Sequence, residues 1–146
     1  AEGKAAGIDF RFDKVRHVPN TLAVHQLMEV AETGEIDQSS LADDLMRAFF
    51  EEGRNIGNRG ELIDIAATHG ISAADANKAI DSDEIRQQVL TREARVRSSG
   101  LAGVPGYLLN RRLLVVGAQD VDAIVSAFDR AMFGEGTDSL GSPALH

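Results

Sequence analysis

The stretch from Gly100 to Asp120 constrains the chain most. Gly100 stops a helix, and Val104-Pro105 follows almost at once. Then come a short apolar run (Tyr107-Leu108-Leu109), a turn at Asn110-Arg111-Arg112, a second apolar run (Leu113-Leu114-Val115-Val116) and a helix cap at Asp120. An X-Pro bond heading a strand is where a cis peptide is tolerated, because the tertiary amide cuts the trans preference to about 0.5–1 kcal/mol. Both runs are nearly continuous in apolar residues, as expected of strands covered on both faces. The short connection between them predicts a hairpin. A lone two-stranded hairpin is marginal in water, so these strands call for neighbours.

Upstream, helices and their stops dominate. Ile8, Phe10 and Phe12 alternate with Asp9 and Arg11, the pattern of a short extended segment, and residues 1–7 look like the end of a helix. Val18-Pro19-Asn20-Thr21 breaks the chain, with Asn20 or Thr21 placed to cap a helix whose apolar face is Val24, Leu27, Met28 and Ala31 and which Gly34 ends. Ser39-Ser40 opens the next helix, with Leu41, Leu45, Ala48 and Phe49 at helical spacing and Gly53 at its stop. A polar loop then leads to a short helix with Leu62, Ile65 and Ala66 inward, stopped by Gly70. Ser72-Ala73-Ala74-Asp75 resembles a capping box with Asp in place of Glu. The longest helix is expected over 83–99, with Ile85, Val89, Ala94 and Val96 among many charges. The last, over 121–133, places Val121, Ile124, Val125, Phe128 and Met132 on one face.

Charge removes several functions. A net charge of −8 argues against nucleic acid as a partner, since neutralising phosphates needs clustered Lys and Arg. It also argues against anionic membrane surfaces, and no apolar run approaches the roughly 20 residues of a span. There is no cysteine, which excludes disulfides and Cys-based metal sites within the chain. That usage, with no visible signal peptide, suits the cytoplasm, the expected location. His17, His25, His69 and His146 lack metal-ligand spacing and read as surface or structural groups.

Four pieces in order carry a family resemblance: Val18-Pro19-Asn20-Thr21-Leu22 with His25, the run Met46 through Gly57, Gly103-Val104-Pro105, and Gly117-Ala118-Gln119-Asp120. Together they resemble the DsbA-like thioredoxin-fold oxidoreductases, in particular the FrnE-type branch. The resemblance implies a helix-rich α/β chain: a partial thioredoxin-like fold, made of a cis-proline hairpin and a C-terminal helix, with an inserted all-helical domain. On that reading residues 1–20 are a lead-in, 21–99 the helical insertion, 100–133 the C-terminal half of a thioredoxin-like domain and 134–146 a flexible tail. The family's Cys-containing front finds no counterpart before Ile8, so the chain is expected to stand without it and, alone, to be inactive.

The resemblance implies thiol–disulfide exchange through a mixed disulfide, with a protein or peptide thiol as substrate. It assigns no catalytic residue to this chain. Val104 and Pro105 become substrate-binding positions, the residue before the proline offering its backbone to an extended peptide. Without the family, a plain rigid turn is as good a reading of Val104-Pro105, since most X-Pro bonds are trans. Asn20 reads as a helix cap; the glutathione-using relatives of the family place it instead at the cleft. Gln119 and Asp120 stand at a helix start, where Asp120 caps but where the helix end could also hold a glutathione carboxylate, a group Asp120 would oppose. Glu51-Glu52 and Arg111-Arg112 read as solvated charges. No cofactor is expected. The alternatives are a glutathione-dependent isomerase or kappa-type transferase of the same fold, which would use glutathione, and a non-catalytic helical interaction module. Either a homo-oligomer or a chain supplying the absent strands should cover the apolar hairpin.

Overall fold

A computed structural model of the chain describes residues 2–34, 36–98, 103–109 and 112–133. It divides into two compact units, residues 1–93 and 94–146.

The first unit is helical: α1 (Glu2–Ala5), α2 (Leu22–Thr33), α3 (Gln38–Phe50), α4 (Arg59–Thr68), α5 (Ala73–Asp81) and the greater part of α6 (Asp83–Ser98). The sequence supplies a cap at each main start. Asp37, not the Ser39-Ser40 pair, caps α3: its side chain accepts from the Ser39 and Ser40 N–H groups. Both serines lie inside the helix, where their N–H groups are two of the donors a first turn leaves orphaned. Asn58 caps α4 in the same way, and Ser72 caps α5 by accepting from the Asp75 N–H. Helix α2 packs on α3, α4 and α5, and α4 packs on α3 and α5. Leu27, Leu41 and Leu62 are fully buried where they meet, joined by Val24, Ala31, Leu45, Ala66, Ala76 and Ala79.

Gln26 is the one buried polar side chain among the described residues. Its Nε2 donates to the carbonyls of Ala79, Ile80 and Ser82 at 3.0–3.2 Å, satisfying the end of α5. That carbonyl-rich end coincides with the break before α6 at Ser82. Arg92 of α6 ties back to α2 through Glu29 at 2.7 Å and Glu32 at 3.1 Å. Only the front of α6 packs inward, through Ile85 and Val89. Ala94 and Val96 are exposed.

Phe10 and Phe12 do not form a strand. Their rings stack at 5.2 Å, and both meet the edge of Phe50. The Arg11 N–H donates to the Phe50 carbonyl at 2.7 Å. Alternation here puts two rings on one side of a loop that packs on α3.

The second unit holds β1 (Gly106–Leu109), β2 (Arg112–Val116) and α7 (Val121–Phe133). The strands form an antiparallel hairpin with Gly106 opposite Val116 and Leu109 opposite Arg112. The register slips between Tyr107 and Leu108, whose partners are Val115 and Leu113, which leaves Leu114 as the extra residue of a bulge. Arg112 therefore belongs to the ladder, while Asn110, Arg111, His146 and the expected tail lie outside the described residues. Helix α7 packs on β2, and Tyr107 meets Phe128 edge-on at 5.9 Å. Coverage on both faces does not hold within this unit, since Leu108 is 66% exposed. The apolar face of α7 is likewise split. Ala127 is buried, Ile124 and Phe128 are half-buried, and Val121, Val125 and Met132 face solvent because a two-stranded sheet is too narrow to cover them.

Candidate functional site

The Val104–Pro105 peptide bond is cis. Both residues are exposed, Val104 to 84%. The Pro105 carbonyl accepts from the Gly117 N–H at 2.7 Å, which fastens the loop to the far end of β2. Gly117 makes the turn that allows this at φ +83°, a conformation costly for a residue with a Cβ. Among the described residues no group pairs with the Val104 backbone N–H or C=O. In a sheet of order β1-β2, the outer edge of β1 has no partner strand among those residues either.

Gln119 and Asp120 lie just beyond the same turn. Gln119 Nε2 approaches the Val116 carbonyl at 3.4 Å, and Asp120 Oδ1 accepts from the Ala123 N–H at 2.9 Å. Asp120 is thus occupied as the cap of α7, with one carboxylate oxygen accepting from a first-turn N–H. The structure brings Val104, Pro105, Gln119 and Asp120 together around Gly117. Asn20 belongs to the first unit, where its Oδ1 accepts from the Leu22 N–H at 3.0 Å at the start of α2. Thr21, the formal N-cap, makes no side-chain capping bond.

Several other polar groups serve the frame. His69 Nε2 lies 2.9 Å from Asp44 Oδ2 and joins the end of α4 to α3. Glu51 and Glu52 pair with Arg47 and Arg54 at 4.0 and 3.9 Å. Arg59 grips Asp81 through both guanidinium nitrogens, tying α4 to α5, and the hydrogen bond it donates holds the Asp81 carboxyl below its ordinary range. The Ser40 hydroxyl and the N–H groups of Ser40 and Ser39 do the same for Asp37. No group of three or more His, Asp or Glu side chains is placed to hold a metal among the described residues. No helix among them is long and apolar enough to cross a membrane. Sequence reasoning missed Gln26 and Asp37. Asp37 carried a signal in its cap-forming residue type, whereas Gln26 carried none until α5 was seen to end against it.

A family model for the DSBA-like thioredoxin domain matches residues 2–129. Among solved structures, a probable DsbA oxidoreductase from Streptomyces coelicolor superposes with a TM-score of 0.78 at 24% identity, over 95% of this chain and 59% of that one. A candidate protein disulfide isomerase from Nitrosomonas europaea superposes with a TM-score of 0.77 at 20% identity, over 92% of this chain and 70% of that one. No curated protein sequence matches significantly.

Proposed function

The chain belongs to the DSBA-like thioredoxin domain family, and from that premise we propose that it is the substrate-holding portion of a thiol–disulfide oxidoreductase of the FrnE-type branch. The observation that carries this reading is the exposed Val104 backbone beside Pro105, whose N–H and C=O have no partner among the described residues. An extended peptide can add there by main-chain hydrogen bonds, with affinity independent of most of its side chains. Exchange needs a thiolate, which attacks a disulfide sulfur to form a mixed disulfide and releases the other sulfur as the leaving thiolate. None of the 146 residues is a cysteine. On this reading the redox cysteines lie in polypeptide outside them, and the chain's span of 59% of the Streptomyces coelicolor protein is consistent with that.

Gln119 and Asp120 flank the peptide's path, and Asn20 marks the entry to the helical unit. No cofactor is required, the substrate is a protein or peptide thiol, and the compartment is the cytoplasm. A second copy, or the polypeptide that brings the cysteines, covers the open strand edge. The glutathione reading gains no support at α7, where Asp120 already caps the helix with a carboxylate of its own.

Joining the chain to the Cys-containing front of a family member and assaying insulin reduction tests this. The hybrid should turn over, the chain alone should not, and Val104→Pro in the hybrid should raise KM by removing the N–H offered to substrate. A folded but inactive hybrid, or turnover by the cysteine-free chain, would overturn the proposal.

A further inference from the structure

Residues 11–17 carry Arg11, Lys14, Arg16 and His17 against one carboxylate, Asp13, in a chain of net charge −8. With acids in excess, most arginines around this unit's core have found one. Arg11 holds Asp13, Arg47 holds Asp44, Arg54 holds Glu61, Arg59 holds Asp81 and Arg92 holds Glu29. Lys14, Arg16 and His17 have no such partner: among the described residues none of the three makes an ion pair or a side-chain hydrogen bond. All three line one cavity of about 190 Å³, whose opposite wall is Phe49, Gly53, Arg54 and Asn55.

The walls are fixed. Gly53 stands at φ +73°, and a Cβ there would lie 3.1 Å from the Lys14 carbonyl, so only glycine lets the two segments approach this closely. The Arg54 N–H donates to the Ala48 carbonyl at 2.8 Å. Asn55 Oδ1 accepts from the Gly57 N–H at 3.0 Å, which leaves the Asn55 amide N–H groups without a partner among the described residues. The cavity is therefore lined by two permanent cations, an imidazole and an amide donor, none with a partner among the described residues, with Val15 and Phe49 as an apolar wall. Arg54 adds little, since Glu61 and Glu52 already offset it at 2.6 and 3.9 Å.

We propose that this cavity binds a small multivalent oxyanion, held by Lys14, Arg16, His17 and the Asn55 amide. It is separate from the peptide site at Val104 and does not depend on the thiol–disulfide reading. Phosphate and short dicarboxylates share the required chemistry. Phosphate concentrates three or four oxygens at one point, whereas a dicarboxylate spreads its oxygens over a longer reach.

The test is calorimetric titration of the chain with inorganic phosphate and, separately, with succinate. It is run at an ionic strength of about 0.01 M, where the Debye length is about 30 Å. Amide chemical shifts of Gly53 and Asn55 are followed in parallel. Saturable binding by at least one ligand is expected, with the Gly53 and Asn55 amides shifting. The tighter ligand identifies the source of the oxyanion. Lys14→Gln/Arg16→Gln should weaken binding at least about tenfold, as losing two cations at contact distance implies, while Lys78→Gln on α5 should leave it unchanged. All three side chains are exposed, and unchanged circular dichroism would certify the fold. Absence of saturable binding by either ligand would overturn the proposal. So would wild-type affinity in the double variant, or equal weakening by Lys78→Gln.

Discussion

The two units solve the same problem differently. In residues 1–93 each main helix turns an apolar stripe inward and finds another helix opposite, so that Leu27, Leu41 and Leu62 are wholly out of water. In residues 94–146 a hairpin and one helix bury only Ala127 fully among the described residues, while Leu108, Val121, Met132 and Phe133 are 61–77% exposed. The sequences are similarly apolar; the number of layers differs. A helix on a two-stranded sheet covers one face of the sheet and half of its own stripe, and a single hairpin does not reach stability that way. The helical unit therefore carries the fold, and the second unit carries the open backbone.

Core truncation should separate the units most sharply. Leu62→Ala removes a fully buried side chain from the meeting point of α2, α3 and α4 and should cost about 2–5 kcal/mol. Leu108→Ala, on the exposed face of β1, should cost no more than about 0.5 kcal/mol. Urea denaturation followed by helix circular dichroism reads both. Equal losses would mean that the hairpin face is covered in solution.

Gln26→Leu comes next. It keeps the volume but strands the three carbonyls at the end of α5, and leaving buried acceptors unmade costs about 1–3 kcal/mol. A neutral result in thermal melts would mean that water replaces the amide, and that the α5–α6 break is wetter than its burial implies. Ser72→Ala should cost less, about 1 kcal/mol, because one capping bond to the Asp75 N–H is lost at an exposed helix start.

Much of the helical unit was legible because its signals are local. The break at Val18-Pro19, the box at Ser72, the restart at Asp83 and the stripe Leu41, Leu45, Ala48 all stand where periodicity and caps put them. Most of the errors came from interactions between distant residues. Phe10 and Phe12 alternate because both reach Phe50, not because a neighbouring strand exists. Asp37 competed with two serines for the same cap, and geometry decided. Gln26 looks like any polar residue beside an apolar stripe, and its role exists only because α5 ends 53 residues later against it. At the candidate site, Val104 and Pro105 were found by resemblance. The fastening of Pro105 to Gly117 depends on the bulged hairpin register, which no local pattern specifies.

Acid should affect the helical unit first. The carboxyls of Asp37 and Asp81 titrate below their ordinary range, one through the Ser40 hydroxyl and backbone N–H groups, the other through Arg59. Such groups add stability that is fully present above the unfolded-state value and is lost as pH falls through the lower folded-state value. Unfolding midpoints should therefore hold near neutrality and decline in the acid range below about pH 4. Asp37→Asn/Asp81→Asn should flatten that decline. Both groups are exposed, so the effect is modest and shrinks with added salt.

The smallest expected effect is the most discriminating. Val121 and Val125 are 74% and 50% exposed on α7, and Thr matches Val closely in shape and helix propensity. If that face meets water, Val121→Thr/Val125→Thr should shift stability by no more than about 0.5 kcal/mol. If another surface covers it, each substitution places a hydroxyl in an apolar contact and the loss should exceed about 1 kcal/mol. Protein concentration then separates the possible covers. Association with a second copy makes the midpoint rise with concentration by mass action, and the double variant should abolish that rise. A loss that is independent of concentration would instead mean that the cover comes from within the same chain, and the contrast between a closed unit and an open one would fail.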